Sequence, residues 1–190
     1  MLQQKAWSGK SLRREEKEMK QHIVPTNHEI RLEPTEFIVT KSDLSGRITY
    51  ANRTFMSIAN YPESFLLGKQ HNLVRHPDMP RGVFRLLWET LGREQEFFGY
   101  IKNITSDGSY YWVFANVTPD RDYSGKMVGY FSVRRKPKQE TIPKIESLYR
   151  EMIEIEKRTG PANAPAASAQ YLNQKIREMG TSYDRFVLSV

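Results

Sequence analysis

The sequence predicts an α+β domain with one five-stranded antiparallel sheet and with helices grouped on one face of the sheet. Five segments are rich in β-branched and aromatic residues, and turn sequences separate them into a pair and a group of three. Between the two groups, residues 83–91 carry apolar side chains at helical spacing. Short turns join the last three strands, which is typical of an antiparallel meander.

The sheet is predicted from the order of its strands and the alternation of their side chains. The turn Asp43-Leu44-Ser45-Gly46 joins the first two strands into a hairpin. Both faces of the fourth strand are largely apolar, so we expect one face to cover the helices or a ligand. The other face should be covered by a flanking helix or another subunit. The predicted strands are residues 36–40, 47–51, 97–104, 110–118 and 127–133. The predicted short helices are residues 52–58 and 64–67.

A polar loop with the sequence His71-Asn72-Leu73-Val74-Arg75-His76-Pro77-Asp78-Met79-Pro80 precedes the amphipathic run. A charged segment that leads into a helix start favours an anionic or polar ligand, because free N–H groups and the helix dipole attract negative charge. Asp78 is the predicted N-cap, with Pro80 in the first turn. The apolar face of the run should pack on the sheet. Trp88 lies on this face, and we interpret it as a core residue in preference to a ligand contact. That face consists of Phe84, Leu87, Trp88 and Leu91.

Helical segments flank the predicted sheet domain. Residues 10–23 read as a helix with a thin apolar stripe, which suits a partner surface or a loosely docked arm. Residues 141–157 repeat apolar positions over about two heptads, so we expect this helix to pair with a partner or dock on the sheet. Residues 159–169 have the composition of a linker, and residues 171–179 form a last helix. The predicted divisions are residues 1–34, 35–136, 137–158 and 159–190.

Composition excludes several classes of protein. The net charge of the 190 residues is +7, but acidic residues interleave the basic ones outside the run Arg134-Arg135-Lys136-Pro137-Lys138, so nucleic-acid binding is not expected. No apolar run approaches 18 residues, so direct membrane insertion is not expected. The absence of Cys is consistent with the cytoplasm and excludes thiol catalysis and cysteine-adduct light sensing. No catalytic constellation is present, so we expect no enzyme activity.

The order of elements and a set of motifs together resemble the PAS superfamily. Within it, the chain is similar to the flavin-binding PAS domains of aerotaxis receptors. The loop of residues 71–80 is the most specific part of this resemblance. The other motifs are Trp88, Lys102-Asn103, Asp107-Gly108, Tyr111-Trp112-Val113-Phe114-Ala115-Asn116 and residues 129–135.

The resemblance implies a cytoplasmic sensor that binds FAD non-covalently and reports redox state or oxygen-linked electron flow to a chemotaxis receptor. It also implies the PAS-only component of a two-protein energy-taxis receptor, and the tail of residues 180–186 is similar to the end of such proteins. A homodimer through the flanking helices and the outer sheet face is expected. If the chain is a fragment, the single-chain receptor is the alternative.

The resemblance also implies a set of cofactor-binding residues. Their chemistry fits the roles: an Arg can hold a pyrophosphate, an amide suits the mixed polar edge of a flavin, and a Trp can stack on a ring. For several of them a structural role is the alternative, such as loop ordering by His76 or a core position for Trp112. The family often carries a Trp near Phe97, and this chain departs from it there. The residues are Asn72, Arg75, His76, Asp78, Trp88, Asn103, Trp112 and Asn116.

Two other functions stay open at this stage. A haem-binding PAS sensor would use His71 or His76 as the axial ligand. A ligand-free module would use the apolar outer sheet face and the heptad-like helix for dimerisation.

Overall fold

One antiparallel sheet organises the described part of the chain, residues 23–190 in the computed structural model. The predicted helix of residues 10–23 lies outside the described residues except for its last position. The strand order is β2-β1-β5-β4-β3, with every neighbouring pair antiparallel, which confirms the predicted sheet and meander. The strands are β1 Ile38–Asp43, β2 Ile48–Ala51, β3 Phe97–Ile104, β4 Tyr110–Arg121 and β5 Met127–Arg135.

Helices surround the sheet on both faces. Asn52 begins the first helix, since its side chain accepts hydrogen bonds from the N–H groups of Phe55 and Val39. Asn60 ends that helix in the left-handed conformation that favours Asn and Gly. The helices are α1 Arg53–Ala59, α2 Glu63–Leu66, a 3-10 helix His71–Val74, α3 Arg81–Gly92, α4 Ile142–Thr159, α5 Ala164–Glu178 and α6 Tyr183–Ser189.

The register of the sheet decides which side chains face α3. Asn103 of β3 pairs with Tyr111 of β4, and alternation then places Ala115 and Val117 on the same face as Asn103. We call this the inner face. The apolar stripe predicted for α3 faces it across a cavity, so the expected packing of this helix toward the sheet is confirmed.

Helix α4 covers the opposite, outer face at strands β3 and β4. Its Tyr149 hydroxyl donates to the Tyr100 carbonyl at 2.8 Å, and its ring lies 6.2 Å from the Trp112 ring between centroids. Docking of the heptad-like helix on the sheet, one of the two predicted arrangements, is therefore confirmed. The apolar stripe of α4, including Ile145 and Met152, is buried within its own chain. Dimerisation through this helix stays a prediction.

The end of the chain wraps around the β3 edge and returns to α3. The predicted linker of residues 159–169 is wrong beyond residue 163, because α5 begins at Ala164. Pro165 lies in the first turn, where its missing N–H leaves no bond unmade, and the alanines that follow favour a helix. Helix α5 packs closely on α3: a Cβ at Gly82 would lie 2.2 Å from the Ser168 hydroxyl oxygen.

Candidate ligand-binding site

A cavity of about 350 Å³ lies between the inner sheet face, α3 and the 3-10 segment. This volume falls in the range of small-molecule sites, which are roughly 300–1,000 Å³. Its middle is apolar, and its two ends are polar. The lining residues from the sheet are Thr40, Ser42, Ile101, Asn103, Ala115, Val117, Tyr130, Ser132 and Arg134. Those from the helices and loops are Gly46, Gln70, His71, Asn72, Arg75, Arg81, Phe84, Arg85, Leu87, Trp88, Leu91 and Pro165.

The polar loop is fixed at both edges of the sheet. At the β2 edge, Gln70 forms a bridge with Arg47, and the His71 N–H donates to the Gly46 carbonyl at 2.9 Å. At the β3 edge, Arg75 forms an antiparallel bridge with Asn103. The segment between these bridges therefore crosses the inner face and closes one side of the cavity.

Four arginines line the cavity, and no Asp or Glu is among the described residues that line it. Arg75 packs over the Phe84 ring at 5.7 Å, and its pKa is lowered by burial and by the charge of Arg81. Arg81 donates to the Pro161 carbonyl at 2.9 Å, and Arg85 pairs with Glu89 outside the cavity. An excess of fixed positive charge favours a ligand that brings negative charge.

The fourth arginine, Arg134, is at the sheet end of the cavity and is 8% exposed. Its guanidinium lies 3.2 Å from the Thr40 hydroxyl and 3.0 Å from His71 Nε2. Arginine only donates, so Nε2 accepts and the imidazole is neutral. Burial, and then the charge of Arg134, lower the pKa of His71 to about 3, which agrees with this arrangement. The histidine therefore orients Arg134 without neutralising it.

Four of the predicted site residues line the cavity: Asn72, Arg75, Trp88 and Asn103. Asn103 is 5% exposed and presents an amide beside the apolar Ile101. Trp88 is 45% exposed, so it forms part of the mouth and not the core that the sequence favoured. Its ring lies edge-on to Tyr130 at 5.3 Å and close to Gly46, where a Cβ would be 3.2 Å from the indole.

His76 and Asp78 point away from the cavity and join the loop to β3 and α4. The Asp78 N–H donates to His76 Nδ1 at 3.0 Å, and Asp78 Oδ2 lies 2.8 Å from Lys102 Nζ. Lys102 also lies 3.6 Å from Glu146 of α4. The predicted N-cap role of Asp78 is wrong, because α3 begins after Pro80, and the Gly82 N–H in its first turn donates to Glu156 of α4 instead. Neither His76 nor Asp78 is among the described residues that line the cavity.

Trp112 and Asn116 also lie away from the cavity, on the outer sheet face. Trp112 packs near Tyr149 of α4, and the Asn116 amide donates to Glu96 at 3.1 Å. The reason is the strand period of two: positions 112 and 116 alternate with 115 and 117, which face the cavity. The resemblance alone does not show which side chains of β4 face the cavity, whereas the register between β3 and β4 does.

Several cavity residues were not predicted. Arg134 was noted only as part of the basic run and of the motif of residues 129–135, and Ser132 only as part of that motif. Their spacing by two along β5, in step with Tyr130, is the signal that would have found them. Arg81, Arg85 and Pro165 reach the cavity through packing of α3 and α5, for which local sequence carries no signal.

Two further properties concern residues 23–190 alone. This part of the chain holds no group of three His, Asp or Glu side chains arranged to bind a metal ion. It also contains no helix with the length and apolar character needed to span a membrane.

Comparisons with known proteins agree with this architecture. The family described as the PAS fold matches residues 48–134. The aerotaxis receptor of Escherichia coli is 37% identical over 132 residues, which are 70% of this chain and 26% of the receptor. A nitrogen fixation regulatory protein of Klebsiella pneumoniae is 28% identical over 104 residues, 55% of this chain and 21% of that protein.

A solved structure shares the fold. It is a light-oxygen-voltage domain studied with a flavin analogue, 24% identical, with a TM-score of 0.51 over 62% of this chain and 87% of that one. The chain spans about a quarter of the length of the aerotaxis receptor that it matches. The family match, the sheet order and the cavity on the inner face lead to one conclusion: residues 48–134 match the PAS fold, and the chain is similar in sequence to the E. coli aerotaxis receptor.

Proposed function

We propose that the protein is a redox sensor that binds FAD non-covalently in the inner-face cavity. The observation that carries this proposal is the cavity itself, which joins an apolar slot to four arginines without a carboxylate among its described lining residues. A planar, uncharged ring system fits the slot, and an attached diphosphate fits the arginines.

The lining residues divide according to the parts of such a ligand. Ile101, Val117 and Leu87 offer apolar contacts to the two faces of a ring, and Asn103 can both donate to and accept from a polar ring edge. Arg75, Arg81 and Arg85 lie at the rim, where phosphates would stay partly solvated. A cavity of about 350 Å³ is at the small end of the usual range, which fits a ligand whose ring enters and whose phosphates stay at the rim.

A route from the ligand to α4 runs through two neighbouring residues of β3. When bound, a flavin takes up electrons and protons at its ring edge and so changes its charge and hydrogen bonding. Asn103 faces the cavity, and the adjacent Lys102 faces outward, where it contacts Asp78 and Glu146. A shift of Asn103 would therefore move the contact that fastens α4 to the sheet. Such a shift requires that the two redox states bind the two conformations differently.

We further propose that the output is chemotaxis signalling in the cytoplasm, as the PAS component of an energy-taxis receptor. The support is the 37% identity to a protein named for aerotaxis, together with the docking of α4. A homodimer through the flanking helices is part of this proposal. Deletion of the gene should abolish the aerotactic band in a capillary, and an Arg75→Ala copy should fail to restore it. A Lys126→Ala copy, altered in the exposed turn before β5, should restore it.

The cofactor is tested on freshly purified full-length protein. We expect flavin absorbance bands that bleach on reduction, and release of FAD on heating, identified by chromatography against FMN and riboflavin. Protein refolded with FAD should regain the spectrum. Colourless protein that takes up no flavin would overturn the proposal, and a Soret band would establish the haem alternative.

The diphosphate contact is tested by comparing ligands. Arg75→Ala should weaken FAD binding by about 10- to 100-fold, as expected for loss of a charge-assisted hydrogen bond of about 1.5–3 kcal/mol. Riboflavin, which lacks phosphate, should bind the variant and the wild type equally. Equal losses for both ligands would assign Arg75 to loop structure.

A further inference from the structure

The sheet end of the cavity holds a cation that no described residue neutralises. The guanidinium of Arg134 bonds only to Thr40 and to the neutral ring of His71, and no carboxylate of the described residues pairs with it. The side chain is more than nine-tenths buried. Burial lowers the pKa of Arg134 to about 10, so the group stays charged at neutral pH.

An unneutralised buried charge is costly to keep, and the usual remedy is a counter-charge or a water-filled site beside it. The cavity is the open space next to Arg134. Ser132, two positions earlier on the same face of β5, lines the same cavity and is 4% exposed. Its hydroxyl has no hydrogen-bond partner among the described residues. Two buried donors therefore face the same space, and neither is matched by an acceptor of opposite charge.

We propose that Arg134 and Ser132 form the subsite for the negatively charged edge of the bound ligand. This inference rests on the proposed function for the identity of that ligand. With flavin as the ligand, Arg134 holds the reduced ring more tightly than the oxidised ring and raises the reduction potential. Reduction takes two electrons, here from dithionite, and one proton from water, and it leaves one negative charge on the ring. Arg134 offsets that charge.

The position of Arg134 distinguishes it from the rim arginines. Arg81 and Arg85 are exposed and have partners outside the cavity, the Pro161 carbonyl and Glu89. Arg134 is fixed by Thr40 and His71 in a site with little solvent, where a charge acts more strongly than in water. The rim therefore binds the ligand in either redox state, whereas Arg134 discriminates between the states.

The experiment compares Arg134→Met with Arg135→Met in the flavin-loaded full chain. Arg135 is the next residue, lies on the outer face and packs over Phe114 at 5.0 Å. Arg135→Met therefore removes the same charge as Arg134→Met but leaves the cavity unaltered. We expect the preference for reduced over oxidised flavin to fall about 100-fold in Arg134→Met, a potential lower by about 60 mV for a two-electron couple. Arg135→Met should keep the wild-type potential, and Arg134→Lys should keep most of it.

A second measurement separates this role from a structural one. Flavin-free Arg134→Met should unfold at or above the wild-type temperature, because it removes an uncompensated buried cation. A lower unfolding temperature together with an unchanged potential would overturn the inference. If Arg134→Met does not fold, Ser132→Ala must lower the potential by a smaller amount, and an unchanged value would overturn the inference equally. Wild-type protein that binds no flavin would overturn the proposed function, and this inference with it.

Discussion

The variant Asp78→Asn tests whether the second half of the polar loop stabilises the fold or contacts the ligand. Asp78 Oδ2 lies 2.8 Å from Lys102 Nζ, and Lys102 is 9% exposed in its side chain. The same ammonium lies 4.5 Å from the Tyr110 ring centroid and 3.6 Å from Glu146 Oε1. The substitution removes one of two carboxylates from a buried cation and keeps the size of the side chain.

The magnitude follows from the burial of the two partners. Removing one partner of a fully buried pair costs about 3–5 kcal/mol. The Asp78 side chain is 61% exposed and Glu146 remains near Lys102, so solvent screening reduces the expected loss to about 1–2 kcal/mol. Lys102→Met removes the charge that needs a partner. The double variant should therefore be less destabilised than the sum of the two single variants.

The Asp78–Lys102 pair also makes the free energy of unfolding depend on pH. Burial alone would raise the pKa of Asp78, but the hydrogen bond and charge of Lys102, with His76, hold that pKa below its usual range. The folded state then binds fewer protons than the unfolded state below about pH 5. The stabilisation is present at neutral pH and is lost as the pH falls through the lowered pKa.

Urea unfolding of flavin-free protein at pH 7 measures the loss, and a flavin titration of the folded variant measures binding. The matched control is Asp120→Asn, whose partner Lys41 lies at a similar 2.9 Å but is 45% exposed. That surface pair should contribute less than about 1 kcal/mol. If Asp78→Asn keeps wild-type stability and loses flavin, Asp78 contacts the ligand, and our interpretation of the loop is wrong.

Three further predictions concern the cavity wall and the packing of the last helices. Because burial and Arg134 lower the pKa of His71 to about 3, flavin-free protein should lose up to about 1.4 kcal/mol of unfolding free energy per pH unit as the pH falls below about 6.5, and urea unfolding of His71→Gln should show a flatter dependence. Gly82→Ala should cost about 1–3 kcal/mol in thermal unfolding by forcing α5 away from α3, whereas Gly92→Ala, with open space around it in the same helix, should cost nothing; equal effects would contradict the packing. Glu156→Gln should raise the hydrogen-exchange rates of the α5 amides, since Glu156 accepts from the Gly82 N–H at 3.0 Å and from the Ser168 hydroxyl at 2.5 Å. Unchanged exchange rates would show that this contact does not hold α5 in place.

Local sequence carried enough information to predict the sheet. The bounds of β3 match the predicted residues 97–104, because alternating aromatic and aliphatic side chains and the turn after Ile104 leave little choice of register. The second half of the helix at residues 164–178 was predicted, but its first turns were missed, because Pro161 and Pro165 give the composition of a linker. Its stability comes from contact with α3 at Gly82, a long-range contact that no local pattern encodes.

The part of the candidate site that lies in the polar loop and in β3 was predicted from the sequence. Arg75 and Asn103 were both named, and the structure joins them by a backbone bridge across 28 positions of sequence. Trp112 was named with them but faces outward, because resemblance identifies a motif and not the parity of each side chain. Arg134 was missed because it was noted only as part of a basic run and of the motif of residues 129–135, whereas its parity on β5 places it in the cavity.

The polar loop and β3 together explain how one motif could serve both ligand and output. His71, Asn72 and Arg75 of the loop line the cavity, whereas Asp78 forms an ion pair with Lys102 on the side of α4. Strand β3 repeats this division within two positions, since Asn103 faces inward and Lys102 outward. A change at the ligand therefore needs no long path to reach α4: it has only to alter the twist of one edge strand, whose inward and outward side chains move together. If so, Lys102→Met should leave flavin binding intact and remove the difference in α4 hydrogen exchange between the oxidised and reduced protein. A difference that survives in this variant would place the route to α4 elsewhere.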